Sequence, residues 1–68
     1  MRLIRVFTEQ ALDMGAEVAL EAQASIHLSR VLRMKRGDKV ELFNPLGQLH
    51  DCSISQIDKK TVHVLIET

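Results

Sequence analysis

Hydrophobic and polar residues alternate with a period of two along most of the chain, and one stretch replaces that rhythm with helical spacing. The segment LIRVF (3–7) is apolar and β-branched, which predicts a strand with Leu3, Arg5 and Phe7 on one face and Ile4 and Val6 on the other. TEQALDMGAE follows as a connection, with Gly15 as a turn residue. EVAL (17–20) predicts a short second strand that places Val18 and Leu20 together. KVELF (39–43) alternates with Val40 and Leu42 inward, and NPLG is a turn signal between two strands. In QLHDCSISQI (48–57) the alternation slips. Cys52 and Ile54 share one parity, Leu49 and Ile57 the other, and a β-bulge would reconcile them. DKK (58–60) is the next turn, and TVHVLIE (61–67) is the last strand, with Val62, Val64 and Ile66 on one face.

Residues 22–34, AQASIHLSRVLRM, contain no glycine or proline and predict a helix. At about 100° per residue, Ala24, Leu28, Val31, Leu32 and Met34 share an arc that also includes His27. His27 is therefore expected to be partly buried, its ring bonded to a main-chain carbonyl and locking the helix against the sheet. Arg30 and Arg33 lie outside the arc as neighbours one turn apart. Ile26 falls between them, an apolar side chain on a face that should be wet. The helix is expected to end at KRGD, where Gly37 can take the positive φ of a helix exit or tight turn.

About five short strands and one helix predict a single, mainly β domain over residues 1–68. Open, flat sheets leave edges exposed, so the simplest architecture is a small, mostly antiparallel barrel or half-barrel with the helix plugging one end. A chain of 68 residues forms one modestly stable core. The single cysteine, Cys52, rules out an intrachain disulfide, and no apolar run approaches the roughly 20 residues of a membrane span. With no signal-type segment, the expectation is a cytoplasmic protein without membrane partners.

Charge changes the picture more than composition does. The formal net charge is zero, yet five of the nine Lys and Arg residues fall between Arg30 and Lys39, while residues 6–29 contain four acids and no Lys or Arg. Cations near a helix C-terminus are favoured by the helix dipole, which accounts for part of Arg33, Lys35 and Arg36. It does not account for Arg30 on the outer face beside Ile26. A local basic stripe on a neutral protein attracts phosphates over a screening length of about 8 Å. Arg2 and Arg5 add charge at the N-terminus. Phe7 and Phe43 are the only aromatics, and in strand contexts they read as core residues, which argues against recognition through stacked bases.

Enzyme motifs are absent. There is no phosphate-binding glycine loop, no G-x-S-x-G and no H-E-x-x-H. His50 and Cys52 share a strand face with Asp51 opposite, but a nucleophilic pair needs a third orienting group, and zinc usually needs four ligands. Cys52 reads as a small core residue and His63 as an exposed one.

HLSRVLRMKRGDKVELFNPLG resembles the first domain of the ribosomal RNA small-subunit methyltransferase E family. The resemblance rests on His27, Val31-Leu32-Arg33, Lys35, Gly37-Asp38, Leu42-Phe43 and Gly47, and RLIRVF is similar to the family's opening strand through Arg5 and Phe7. It is densest over 27–47 and loose over 9–26. It implies an rRNA-binding, PUA-like barrel from an enzyme that methylates N3 of a uridine in 16S rRNA. It further implies a knotted C-terminal catalytic domain, absent from this chain, that binds S-adenosylmethionine and forms a homodimer. This segment alone is then expected to bind no cofactor or metal and to have no activity. Arg30, Arg33, Lys35, Arg36 and Arg5 are the expected RNA contacts. Where the family often has two adjacent histidines, this chain has Ile26 and His27; the isoleucine fits packing against the catalytic domain or a partner subunit, and both residues are the expected interdomain or partner contacts, with a direct RNA contact the other reading of His27. Two other readings share the local pattern: a swapped-hairpin DNA-binding regulator, which runs a short helix into a similar G-D-x-V-E strand, and a basic protein-interaction module.

Overall fold

The protein is described by a computed structural model covering residues 4–68. Leu3, expected in the first strand, and Arg2, expected to add charge, lie outside the described residues. The elements run β1 (Ile4–Phe7), β2 (Glu17–Ala19), α1 (Ala22–Ile26), a π-helical turn (His27–Val31), β3 (Lys39–Phe43), β4 (Leu49–Ile57) and β5 (Val62–Ile66). All five strands form one sheet in the order β1-β3-β4-β5-β2. Three of the pairings are antiparallel, and β1 runs parallel to β3.

The alternation sorts residues between the faces as expected. Val6, Val18, Val40, Leu42, Ile54, Val64 and Ile66 are buried with Leu28 from the helical segment. The bulge in β4 is present as a register shift between Ile54 and Gln56. Beyond it Ile57 pairs with buried Val62 but is itself 38% exposed at the end of the strand. Leu49 stays on the outer face, in register with Phe43.

The sheet does not close into a barrel, because β1 and β2 remain its two edges. Side chains link these edges where a ladder was expected. The Glu21 carboxylate accepts from Thr8 Oγ1 and from the Glu9 main-chain N–H, both at 2.9 Å, and Gln10 Nε2 donates to the Ala19 carbonyl at 2.8 Å. Two hydrogen-bonded side chains satisfy enough polar groups to let two very short edges stop without pairing.

The helix is shorter and differently wound than the periodicity predicts. Five α-helical residues are too few to be stable alone. Buried Ser25 ties them to the sheet: its hydroxyl donates to the Leu20 carbonyl and accepts from the Val62 N–H at 3.0 Å. The chain then widens into the π-turn, with Leu32 N–H bonded to the His27 carbonyl. The extra residue rotates the later side chains away from the expected arc. Leu28 is fully buried and Met34 half-buried, but Val31 is 64% exposed and Leu32 lies at the surface. His27 is also exposed, so the expected buried histidine is not found.

The helix exit falls at Arg33, not at Gly37. Arg33 has φ +51°, and the Met34 N–H reaches back to the Leu28 carbonyl, which is the closure usually made with glycine in the left-handed position. Gly37, φ +94°, serves the separate tight turn in which Asp38 N–H bonds the Lys35 carbonyl.

Candidate nucleic-acid interface

The basic residues project from a segment pinned at both ends. Met34 N–H bonds Leu28, while Gly37 N–H donates to the Ile54 carbonyl and Ile54 N–H to the Asp38 carbonyl. The Asp38 carboxylate accepts the Lys35 main-chain N–H at 2.8 Å, which spends the one nearby acid on the backbone. Arg30, Arg33, Lys35 and Arg36 are all exposed, and none forms an ion pair among the described residues. Only Arg30 belongs to the helical segment, so helical spacing does not set the Arg30–Arg33 relation. The left-handed turn at Arg33 sets it instead.

Arg5 belongs to a different neighbourhood. It stands on the outer face of β1, in register with Glu41 of β3, and its Nε donates to Glu41 Oε1 at 2.7 Å. Its side chain remains 68% exposed, so this ion pair leaves much of the guanidinium open to solvent. Among the described hydrogen bonds and ion pairs, none joins Arg5 to the Arg30–Arg36 stretch. Arg5 and His27 do line one groove of about 470 Å³ between β1 and α1, together with Phe7, Gln23 and the carboxylates Glu9 and Glu21. Burial alone would raise the Glu21 pKa. The hydrogen bonds from the Glu9 N–H, its own N–H, Thr8 and Gln10 outweigh this and hold the carboxyl below its usual range.

Ile26 is 46% exposed, as expected of the apolar residue on a wet face. Phe7 and Phe43 correct the core assignment made from their strand context. They are 47% and 38% exposed and meet edge-to-face at a centroid distance of 5.5 Å on the outer face of the sheet. The signal was present in the alternation: Phe7 shares its parity with Arg5, and a face that carries an arginine is a wet face.

The His50-Asp51-Cys52 cluster is no reactive centre. Cys52 is fully buried and its thiol is pushed up to about 11 by that burial, while His50 Nδ1 lies 2.6 Å from the Thr68 carbonyl. His63, expected to be exposed, is half-buried, with Nε2 3.1 Å from Asp58. The described residues contain no group of His, Cys, Asp and Glu that could hold a metal ion. The glycines occupy three separate turns, each with open space where a side chain would begin. No described helix is long and apolar enough to cross a membrane.

Comparison with known proteins adds a family. The model of the RNA methyltransferase PUA domain matches residues 20–67. A ribosomal RNA small subunit methyltransferase E from Buchnera aphidicola is 28% identical over 65 residues, or 96% of this chain and 26% of that protein. Among solved structures, a SAM-bound methyltransferase from Legionella pneumophila superposes with a TM-score of 0.94 at 32% identity, over 100% of this chain and 28% of that one. A ribosomal RNA small subunit methyltransferase E from Neisseria gonorrhoeae bound to S-adenosyl methionine gives 0.86 at 25% identity, over 96% and 27%. The chain thus spans about a quarter of the length of the relatives it matches.

Proposed function

The chain belongs to the RNA methyltransferase PUA domain family, and on that premise we propose that it holds RNA for an S-adenosylmethionine-dependent enzyme methylating N3 of a uridine in 16S rRNA. Residues 1–68 are the RNA-holding domain. A C-terminal catalytic domain, expected to bind the cofactor and form a homodimer, performs the transfer in the cytoplasm during ribosome biogenesis. This chain's part is positioning. Arg30, Arg33, Lys35 and Arg36 neutralise backbone phosphates, Arg5 adds a contact from β1, and the strand is held in register without its sequence being read. Exposed Ile26 is proposed to pack on the catalytic domain or a partner subunit.

The observation that carries this reading is the pinned Arg30–Arg36 segment, with four exposed cations and no ion pair among the described residues to consume them. The swapped-hairpin reading expects a domain that is complete soon after β3, whereas β4 and β5 continue the same sheet. Binding of a small-subunit rRNA fragment across a salt series tests the proposal. Arg30→Ala/Arg33→Ala should weaken binding and flatten the slope of log K against log salt, by about 0.7 for each single-strand phosphate that is no longer neutralised. An unchanged slope would overturn it, and equal binding to an acidic polypeptide would point to the protein-interaction module.

A further inference from the structure

Edge strand β1 carries an aromatic side chain that the phosphate-holding role does not use. Phe7 is half exposed, braced edge-to-face by Phe43, and forms one wall of the groove between β1 and α1. Buried Val6 and half-buried Ala24 also line that groove, giving it an apolar part. Its volume, about 470 Å³, falls within the roughly 300–1,000 Å³ of small-ligand sites. Arg5 and His27 bring nitrogen donors to the same space.

The charges in the groove select what enters. Glu9 and Glu21 both line it, and the hydrogen-bonded Glu21 carboxylate is held in place. A phosphate inside would face two carboxylates. A neutral base would not suffer that repulsion, and its amino or imino N–H groups can donate to them. The phosphates have their own place outside, since the basic stretch begins at Arg30, three residues beyond His27 on the same helical segment. An exposed aromatic ring beside cations is the arrangement with which proteins hold single-stranded RNA.

We infer that the groove between β1 and α1 takes one unpaired base of single-stranded RNA, stacked on Phe7, with the adjoining phosphates outside it on the Arg30–Arg36 stretch. The inference rests on the RNA-holding reading above and adds a base site to it.

The chain has no tryptophan, so Phe7→Trp would introduce its only indole. Titrating this variant with a single-stranded rRNA oligonucleotide should quench the indole emission, whereas heparin, a polyanion without bases, should not. Phe7→Leu should bind the oligonucleotide about five- to hundredfold more weakly. It should bind heparin as the parent chain does and melt near the parent temperature. Unquenched emission together with undiminished binding by Phe7→Leu would overturn the base site. If Arg30→Ala/Arg33→Ala still weakened binding in that case, the phosphate-holding reading would survive alone. Failure of the parent chain to bind any RNA would remove both.

Discussion

Arg33 is where fold and proposed function pull in opposite directions, and replacing it with glycine separates them. Among the described residues it is the only non-glycine with a positive φ. The left-handed conformation costs an L-residue about 1–2 kcal/mol. Glycine there avoids that cost but adds freedom to the unfolded chain, worth about 0.4–1 kcal/mol. Because the Arg33 side chain is exposed and has no ion-pair partner among the described residues, little else changes on its removal. Arg33→Gly should therefore stabilise the domain by about 0.5–1 kcal/mol, a rise in melting temperature of about 2–8 °C for a domain of this size. Arg33→Ala removes the same charge but keeps the strain, so its melting temperature should stay near that of the parent. Far-UV circular dichroism melts of the three proteins decide this, and RNA binding across a salt series supplies the functional half. Both variants should show a salt slope shallower by about 0.7 if Arg33 holds a phosphate. A glycine variant that melts at or below the alanine variant refutes the strained exit. A stabilised glycine variant with the parent's salt slope refutes the phosphate contact.

Three further outcomes probe the frame that presents the site. Ser25→Ala removes both hydrogen bonds of the buried hydroxyl and leaves the Val62 N–H without its partner; after the gain in helix propensity it should destabilise by about 2–3 kcal/mol in urea unfolding, whereas half-buried Ser55→Ala, which loses one hydrogen bond to Glu17, should cost about 0.5–1.5. Equal effects from the two would mean that Ser25 does not tie helix to sheet. Leu28→Ala should cost about 2–5 kcal/mol, and Val31→Ala close to nothing, since Val31 is mostly exposed and alanine is the better helix former; comparable destabilisation by the two would restore the regular helical arc and discard the π-turn. Glu21 has a folded-state pKa below the ordinary 4.5, so its contribution to stability is present above that value and is lost as pH falls through the folded pKa. Urea midpoints of the parent and Glu21→Gln should therefore differ at pH 7 and converge in acid, and a gap independent of pH would contradict the edge-bridging role of this carboxylate.

The period-two alternation was enough to find β3, β5 and the β4 bulge, because a half-buried strand has a wet face and a dry face and its side chains must choose between them. The density of cations between Arg30 and Lys39 was equally legible, since charge count along a chain needs no fold. Local pattern could not tell how the edges end. Whether β1 and β2 join depends on Glu21 meeting Thr8 across 13 residues, and on Gln10 reaching Ala19, which are decisions of the assembled fold. The π-turn escaped for a related reason: the same residues satisfy a regular helical arc on paper. Only the space available above a five-stranded sheet decides that Leu28 goes in and Val31 stays out. Sequence thus determined the strands, their faces and the presence of a basic segment, all of which follow from nearest-neighbour chemistry. Tertiary structure decided the open sheet, the strained exit at Arg33 and the exposed aromatic wall beside Arg5, because each depends on parts of the chain that only folding brings together.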